Sequence, residues 1–305
     1  MSDRQISLDT ALREAQAVLT LQRDIIGSTR FLAGSPDLAL ATHAAAPETE
    51  TLDPTPAEAT PRQLDAPDAL QPDDGLSPDD SDVPDLFGAL PDPSQDETLS
   101  PYERIESLIP EGHPLHDLNS LEEVNDWLAE TILVPIDRDR INPVLGTGDP
   151  DADLMVIGEA PGADEDRKGE PFVGRSGQLL DKILEAVLFK RPEVYIANIL
   201  KSRPPNNRDP LPEEVEAHIP VLYKQIALVR PKVLLAVGKS AGNGLLKKKA
   251  SLGSLRGTFQ DFYGLPLLVT YHPAALLRNP QWKRPTWEDV KLLRTRYDQL
   301  TRNEE

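Results

Sequence analysis

The sequence contains no cysteine among its 305 residues, and this absence excludes several classes of chemistry. Disulfide bonds, thiolate nucleophiles and thiolate-bound zinc or iron–sulfur centres all need a cysteine sulfur. The five histidines are scattered and show none of the usual metal-binding spacings; they are His43, His113, His116, His218 and His272. We therefore expect a protein with no metal and no cofactor.

Long apolar runs are also absent. No stretch approaches the roughly 18 apolar residues that a membrane-spanning helix needs. The first residues, MSDRQISLDTALREAQ, lack the charged and then apolar pattern of a secretion signal. We therefore expect a soluble cytoplasmic protein with no membrane partner.

Basic residues are scarce in the front of the chain. Residues 1–100 hold 5 basic and 20 acidic side chains, and residues 101–150 hold 3 and 11. Residues 151–305 hold 24 and 20, so the formal net charge of -19 hides a mildly basic C-terminal part. That part is compatible with a polyanionic partner.

Composition divides the chain into three parts. Residues 1–35 carry the apolar pattern of an amphipathic helix, whose apolar face needs the domain, a protein partner or a second copy to dock on. Residues 36–100 are acidic and contain eleven prolines, a composition that predicts a disordered linker. Residues 101–305 are the predicted folded domain.

Short apolar strands alternate with amphipathic helices from Ser120 onward. Strands are predicted over 154–157, 194–198, 233–237 and 267–271, and helices over 120–133, 175–188, 212–228, 239–247 and 286–300. Alternation of continuous apolar strands with helices predicts the α/β class. The expected architecture is a three-layer α/β/α domain with a central four-stranded parallel sheet.

Three polar loops follow predicted strands at their carboxyl ends. They read GEAPGADEDRKGEPFVG, ANILKSRPPNNRDPLP and YHPAALLRNP. The first is much longer than the usual connection of about two to six residues. Because open parallel sheets bind ligands beyond the carboxyl ends of their strands, the three loops predict one crevice.

Individual side chains in these loops suit recognition of a nucleobase. Asn198 ends a strand and presents a donor and an acceptor, as the edge of a pyrimidine requires; capping of a turn is the alternative. Phe172 could stack on a base or pack beneath its loop. His272 could donate to an oxygen that gains charge, although a lone histidine is more often structural.

The three loops, in this order, resemble the motifs of the uracil-DNA glycosylase superfamily. The patterns GEAPG…ED…G.PFVG..G.LLD, ANI.K.RPPNNR and HPA.LLRNP are most similar to those of its family-four members, and they span roughly Thr131 to Pro280. The resemblance implies a uracil-DNA glycosylase-like domain and a monofunctional DNA repair enzyme. Such enzymes hydrolyse the N-glycosidic bond of flipped-out deoxyuridine and leave an abasic site. The implied partner is uracil-containing DNA, single- or double-stranded, and we expect a monomer.

The resemblance also implies catalytic and base-binding roles by position. His272 would stabilise the departing uracil anion, and Glu159 would line the water side of the site. The family's best-known branch has an aspartate in place of Ala160, so a strong water-activating carboxylate is missing there. The implied base pocket comprises Gly158, Ala160, Pro161, Gly162, Glu165, Phe172 and Asn198. In it Phe172 stacks on uracil, Asn198 reads the uracil edge and Glu165 lies near C5.

The implied DNA contacts come from the second and third loops. They are Lys201, Arg203, Asn207, Arg208, Leu276, Leu277 and Arg278. The basic side chains suit phosphate, and the two leucines are suited to wedge the vacated base stack. Packing under the loop is the alternative for the leucines.

The family's iron–sulfur cluster, ligated by four cysteines, has no such ligands in this chain. The matching positions are approximately Thr131, Val134, Ser202 and His218. None can supply a thiolate, so the resemblance implies that the cluster is absent and that its contribution to folding is lost. Ordinary packing is expected to replace it, with Ile132, Val134 and Ile136 as candidates.

Three other functions stay open at this stage. One is a catalytically weakened or inactive module that still binds uracil or DNA. Another is an interaction protein that acts through the N-terminal helix and tail. The third, a hydrolase of free nucleosides, is disfavoured by the basic loop and the wedge-like leucines. Release of uracil from DNA separates the glycosylase from all three.

Overall fold

The computed structural model describes residues 98–302. The predicted N-terminal helix and nearly all of the predicted acidic linker lie outside the described residues. Ser100 caps the first helix, because its hydroxyl accepts a hydrogen bond from the amide of Glu103 while the Glu103 carboxylate accepts from the Ser100 amide. Within residues 98–302 no helix is long and apolar enough to cross a bilayer.

Within the described part, a six-stranded mixed sheet lies at the centre of the domain. The strands are β1 (Gly146–Gly148), β2 (Leu154–Gly158), β3 (Tyr195–Asn198), β4 (Val233–Val237), β5 (Phe259–Phe262) and β6 (Leu265–Thr270). Their spatial order is β1-β3-β2-β4-β6-β5, and β3, β2, β4 and β6 are mutually parallel. The predicted four-stranded parallel sheet is confirmed as the centre of this larger sheet.

Two antiparallel edge strands, β1 and β5, are additions that the sequence reading missed. Strand β1 has the sequence GTG, which carries no apolar alternation, and it pairs antiparallel with β3. Strand β5 joins β6 in a hairpin through Tyr263 and Gly264, both of which have positive φ. Neither edge strand is buried along its whole length, so neither has the continuous apolar pattern of a central strand.

Helices cover both faces of the sheet. They are α1 (Pro101–Glu106), α2 (Leu121–Glu130), α3 (Ala163–Lys168), α4 (Arg175–Ala186), α5 (Pro212–Val229), α6 (Lys239–Leu246), α7 (Leu252–Leu255), α8 (Pro273–Arg278) and α9 (Lys283–Arg302). Along β2, Met155 and Ile157 belong to one hydrophobic cluster while Leu154 and Val156 belong to the other. Successive side chains of a strand point to opposite faces, so each face has its own core. The predicted three-layer α/β/α class is confirmed.

Helix α2 is shorter than the predicted span of 120–133. The Ser120 hydroxyl accepts from the Glu123 amide at 3.1 Å, as a capping residue should. The Glu123 carboxylate accepts from the amide of Asn119 and not from that of Ser120, so only half of a capping box forms. The helix ends at Glu130, and the Arg140 guanidinium donates to the carbonyl of Thr131 at 2.9 Å just beyond it.

A buried carboxylate ties helix α9 to the end of strand β6. Asp289 accepts a hydrogen bond from the Thr270 hydroxyl at 2.6 Å and two from the Arg256 guanidinium at 2.9 and 3.0 Å. The same guanidinium lies 5.4 Å from the ring centre of Tyr271. These contacts fix the strand end that immediately precedes His272.

We expect Asp289→Asn to lower the free energy of unfolding by about 3 kcal/mol, because it removes the buried charge that pairs with the half-buried Arg256 guanidinium. Urea unfolding followed by circular dichroism measures the change. The matched control is Glu288→Gln. It removes the exposed ion pair between Glu288 and Lys291, which should contribute less than about 0.5 kcal/mol. An equal effect of the two substitutions would contradict the anchoring role of Asp289.

Candidate active site

A cleft of about 440 Å³ opens at the carboxyl ends of the parallel strands. It receives residues from the loops after β2, β3 and β6, as the sequence predicts. Its lining comprises Glu159, Ala160, Pro161, Gly162, Glu165, Phe172, Ser176, Asn198, Pro204, Asn207, Arg208, Asp209, His272, Ala274, Ala275 and Arg278. The three loops therefore form one site.

The floor of the cleft depends on a close approach between β2 and β3. Gly158 pairs with Asn198 across the two strands. A Cβ on Gly158 would lie 2.3 Å from the Asn198 side-chain oxygen and 2.6 Å from the Phe172 ring, so a side chain cannot be accommodated there. Gly158 itself is buried and is not among the lining residues. It supports the floor of the cleft from below.

Asn198 presents an unsatisfied acceptor to the cleft. The residue is 1% exposed, and its Oδ1 finds no hydrogen-bond partner among the described residues. A buried acceptor without a partner costs free energy of about 1–3 kcal/mol, and a ligand that donates a hydrogen bond recovers it. Asn198 is therefore suited to bind an N–H group.

Glu165 holds the loop that carries Phe172. Its Oε1 accepts from the amides of Val173 and Gly174, each at 2.9 Å, and its Oε2 accepts from the amide of Gly162 at 3.1 Å. Both carboxylate oxygens are therefore engaged by backbone. The sequence reading placed Glu165 near the base; it lines the cleft, but its hydrogen bonds make it a positioning residue for the loop.

Phe172 adopts an unusual backbone conformation next to His272. Its φ is +52°, and its ring centre lies 5.6 Å from that of His272 with the planes tilted by 33°. Gly177 permits this conformation, because a Cβ there would lie 1.8 Å from the Phe172 carbonyl oxygen. The strained conformation places an aromatic ring in the wall of the cleft.

The backbone of helix α8 selects the tautomer of His272. Its Nδ1 accepts a hydrogen bond from the amide of Ala274 at 3.1 Å, as the cap at the start of the helix. A nitrogen that accepts carries no hydrogen, so the hydrogen of the neutral ring must lie on Nε2. His272 therefore offers Nε2–H as a donor.

Burial keeps that ring neutral. Burial and, to a smaller extent, the positive charge of Arg278 lower the pKa of His272 from its ordinary value of 6.5 to about 4, and the Glu165 carboxylate opposes the shift. At neutral pH the imidazole is therefore uncharged and is a donor through Nε2 alone.

Two carboxylates, those of Glu159 and Asp209, line the cleft and interact electrostatically. Burial raises the pKa of Glu159 above its ordinary value, a hydrogen bond from Ser240 opposes the shift, and the nearby Asp209 carboxylate adds to it. Sequence reasoning selected Glu159 but missed Ser176, Ser240 and Asp209. The signal for Asp209 was its place directly after Arg208 in the second loop.

Lys201 was predicted to contact DNA phosphate, and this prediction is wrong. The side chain is fully buried beneath the site. Its Nζ donates to the Asn198 carbonyl and to Gln225 Oε1, each at 2.5 Å, and burial lowers its pKa to about 7. Lys201 holds the end of β3, which carries Asn198.

The two leucines of the third loop differ sharply in exposure. Leu276 is fully buried in the core, so the prediction that it wedges the DNA stack is wrong and the packing alternative holds. Leu277 is 43% exposed and lies with Arg175 and Arg278 along a shallow groove of about 490 Å³ that continues from the cleft. Leu277 is therefore the better placed of the two for such a role.

The remaining predicted DNA contacts lie in the second loop. Asn207 and Arg208 line the cleft. The Arg203 side chain donates to Asn207 Oδ1 at 2.7 Å, and Arg208 makes a bidentate ion pair with Glu214 at 2.6 and 2.8 Å. The loop is therefore braced by its own side chains.

Comparison with known proteins agrees with this geometry. Residues 145–291 match the family described as the uracil DNA glycosylase superfamily. A type-4 uracil-DNA glycosylase from Saccharolobus solfataricus is 39% identical over 183 residues, which cover 57% of this chain and 85% of that protein. The chain belongs to the uracil DNA glycosylase superfamily. Its similarity to type-4 members confirms the resemblance drawn from the three motifs.

Further type-4 relatives cover the same part of the chain. The type-4 uracil-DNA glycosylase of Thermotoga maritima is 38% identical over 175 residues, covering 56% of this chain and 91% of its own. That of Pyrobaculum aerophilum is 37% identical over 180 residues, covering 56% and 92%. The family part is thus slightly more than half of the chain.

We expect Glu165→Gln to lower the free energy of unfolding by about 2 kcal/mol. The side-chain NH₂ group of glutamine would face a backbone N–H group in place of a carboxylate oxygen, so a hydrogen bond would be lost. Hydrogen exchange of the Val173 and Gly174 amides should accelerate in the same variant. Glu170→Gln, at an exposed position of the same loop, is the control and should leave both unchanged. Protection of the two amides at wild-type levels would rule out this role.

The ring of His272 should titrate with a midpoint near 4 in the folded protein, well below the ordinary 6.5. The unfolded chain binds this proton at higher pH, so the fold loses stability as the pH falls from about 6.5 to 4. Nuclear magnetic resonance of the imidazole, assigned with His272→Gln, measures the midpoint. A midpoint at or above 6.5 would contradict burial as the controlling effect.

Proposed function

We propose that this protein is a monofunctional uracil-DNA glycosylase, which hydrolyses the N-glycosidic bond of deoxyuridine in DNA. The observation that carries the proposal is the pairing of an unsatisfied Asn198 Oδ1 with a neutral His272 donor in one cleft. Uracil has an N–H donor and carbonyl acceptors, so it complements both groups. Membership of the superfamily supports the same reaction class.

Recognition of the base follows from the chemistry of the cleft walls. Asn198 Oδ1 would accept from uracil N3–H and so recover the free energy of an unpaired buried acceptor. The Phe172 ring in the cleft wall would contact the face of the base, and stacking of this kind contributes on the order of 1–3 kcal/mol. The base must first leave the duplex, at a cost of a few kcal/mol that is smallest for a mismatch.

Stabilisation of the leaving group is the main catalytic contribution that we assign. Negative charge develops on the uracil oxygens as the bond to the sugar breaks. A neutral His272 donates a hydrogen bond from Nε2 to that charge and keeps its own proton, so the uracil leaves as an anion. A preorganised donor of this kind contributes about 2.7–4 kcal/mol.

Positioning of the attacking water falls to Glu159 and Asp209. Both line the cleft, and Ala160 contributes no polar side chain. The carboxylate of Glu159 would hold water by its hydrogen bond and would stabilise positive charge on the sugar in the transition state. Ser240 donates to Glu159 and so keeps it oriented.

DNA would lie along the shallow groove that leads from the cleft. Arg175 and Arg278 provide positive charge there, and Leu277 provides an exposed apolar side chain. This combination fits a phosphate backbone with one vacated base position. The mildly basic composition of residues 151–305 supports the same partner.

We expect His272→Ala to reduce the rate of uracil release by roughly 10²–10³-fold, the usual effect of removing one such donor. The assay is a single-turnover reaction on an oligonucleotide with one deoxyuridine, either single-stranded or opposite guanine. The control is His113→Ala. His113 also precedes a proline and caps a short helix through Nδ1, at 3.2 Å from the Leu115 amide, so its variant reproduces the loss of a cap outside the site.

A rate unchanged by His272→Ala would exclude the proposed mechanism. Binding of uracil-containing DNA without release by the wild-type chain would instead identify the second candidate, a binding module of the same fold. The Asn198 acceptor supports the glycosylase and the binding module equally, because it would recognise a base whether or not the glycosidic bond is cleaved. Product formation alone separates the two.

A further inference from the structure

The four positions that match the family's cluster ligands cannot hold an iron–sulfur cluster. Thr131 donates its hydroxyl hydrogen to the Trp127 carbonyl at 2.6 Å, and Val134 is aliphatic. Ser202 and His218 bond to a buried carboxylate, as described below. In the part of the chain that the structure describes, no group of three or more His, Cys, Asp or Glu side chains is arranged for a metal ion.

Asp137 lies among these positions, and its side chain is completely buried. Its Oδ2 accepts from the amides of Leu133 and Val134 at 2.7 and 3.0 Å. Its Oδ1 faces His218 Nε2 at 3.1 Å, and the Ser202 hydroxyl also donates to the carboxylate. Although burial opposes ionisation, these hydrogen bonds hold the pKa of Asp137 well below its ordinary value.

His218 joins this carboxylate to helix α5. Its Nδ1 lies 2.9 Å from the Glu214 carbonyl oxygen, and its Nε2 faces Asp137. Both nitrogens face acceptors, so the ring satisfies both only when each nitrogen carries a hydrogen. The ring thereby links the Asp137 carboxylate to the main chain of helix α5.

Arg140 joins the same carboxylate to the end of helix α2. Its Nη1 lies 3.7 Å from Asp137 Oδ1 and donates to the Ser202 hydroxyl oxygen at 3.4 Å. Its Nη2 donates to the carbonyls of Leu128 and Thr131. The guanidinium thus binds carbonyls at the end of the helix, where few intrahelical donors remain.

We infer that these four side chains, Asp137, Arg140, Ser202 and His218, take the structural place of the iron–sulfur cluster, so that this chain folds without iron. We call them the Asp137 network. The network joins the segment after α2, the loop after β3 and helix α5. Apolar packing contributes less than expected, because Ile136 is buried but Ile132 is 56% exposed.

The network also reaches the cleft. His218 bonds to the Glu214 carbonyl, and the Glu214 carboxylate holds both the Leu211 amide and the Arg208 guanidinium. Arg208 lines the cleft. The loop from Arg203 to Asp209 is therefore tied at Ser202 on one side and at Glu214 on the other.

The first test measures iron in the full chain purified from iron-replete cells. We expect substoichiometric iron and sulfide, no absorption band near 400 nm and no change of melting temperature with a chelator. An iron–sulfur protein produced in the same cells is the positive control. Stoichiometric iron whose removal lowers the melting temperature would overturn the inference.

The second test breaks the network with Asp137→Asn. Removal of one partner from a buried ionic network should lower the melting temperature by on the order of 10 °C. Hydrogen exchange should accelerate in residues 131–140 and 202–214 together. Asp139→Asn removes the same charge from an exposed position two residues away and should change neither measurement.

Ser202→Ala is a milder variant in case Asp137→Asn does not fold. It removes one hydrogen bond from the Asp137 carboxylate and should lower the melting temperature by a few degrees, with faster exchange in residues 203–209. Exchange unchanged in that loop, or equal effects of Asp137→Asn and Asp139→Asn, would overturn the proposed role. Neither measurement depends on the enzymatic activity.

Discussion

The close approach of β2 and β3 at their carboxyl ends is the constraint on which the site depends. Gly158 leaves room for the Asn198 amide and the Phe172 ring in a space that a single Cβ would fill. Lys201 then holds the Asn198 carbonyl from beneath, and Glu165 holds the Phe172 loop from the side. The groups that line the cleft are therefore fixed before any ligand arrives, which is the condition for binding without a large ordering cost.

Buried charge is used in three separate places to join elements that are distant in sequence. Asp289 joins α9 to the end of β6, and Lys201 joins β3 to α5 through Gln225. Asp137 joins the end of α2 to the loop after β3 and to α5. Two of these anchors support a strand or loop that carries Asn198 or His272. Because each buried charge is bonded in several directions, substitutions that remove one partner should have large effects on stability.

The sequence was sufficient for the parallel sheet, for the three loops and for Asn198 and His272, because these follow from apolar strands and from polar residues at strand ends. It was insufficient for Lys201 and Leu276. A lysine beside a basic loop is typical of an exposed phosphate contact. The burial of Lys201 depends on a partner distant in sequence, Gln225, whose Oε1 lies 2.5 Å from the ammonium group. Leu276 and Leu277 are adjacent, and only the orientation of α8 shows which of them faces the core. The Asp137 network was missed because its members come from three segments.

The two histidines that precede prolines, His113 and His272, cap their helices in the same way. In both, a main-chain amide fixes the tautomer, so no acidic side chain is needed to orient the ring. An orientation set by the main chain survives the exchange of neighbouring side chains. The surroundings of His272 can therefore vary the strength of its donor through burial and nearby charge, while the identity of the donating nitrogen stays fixed.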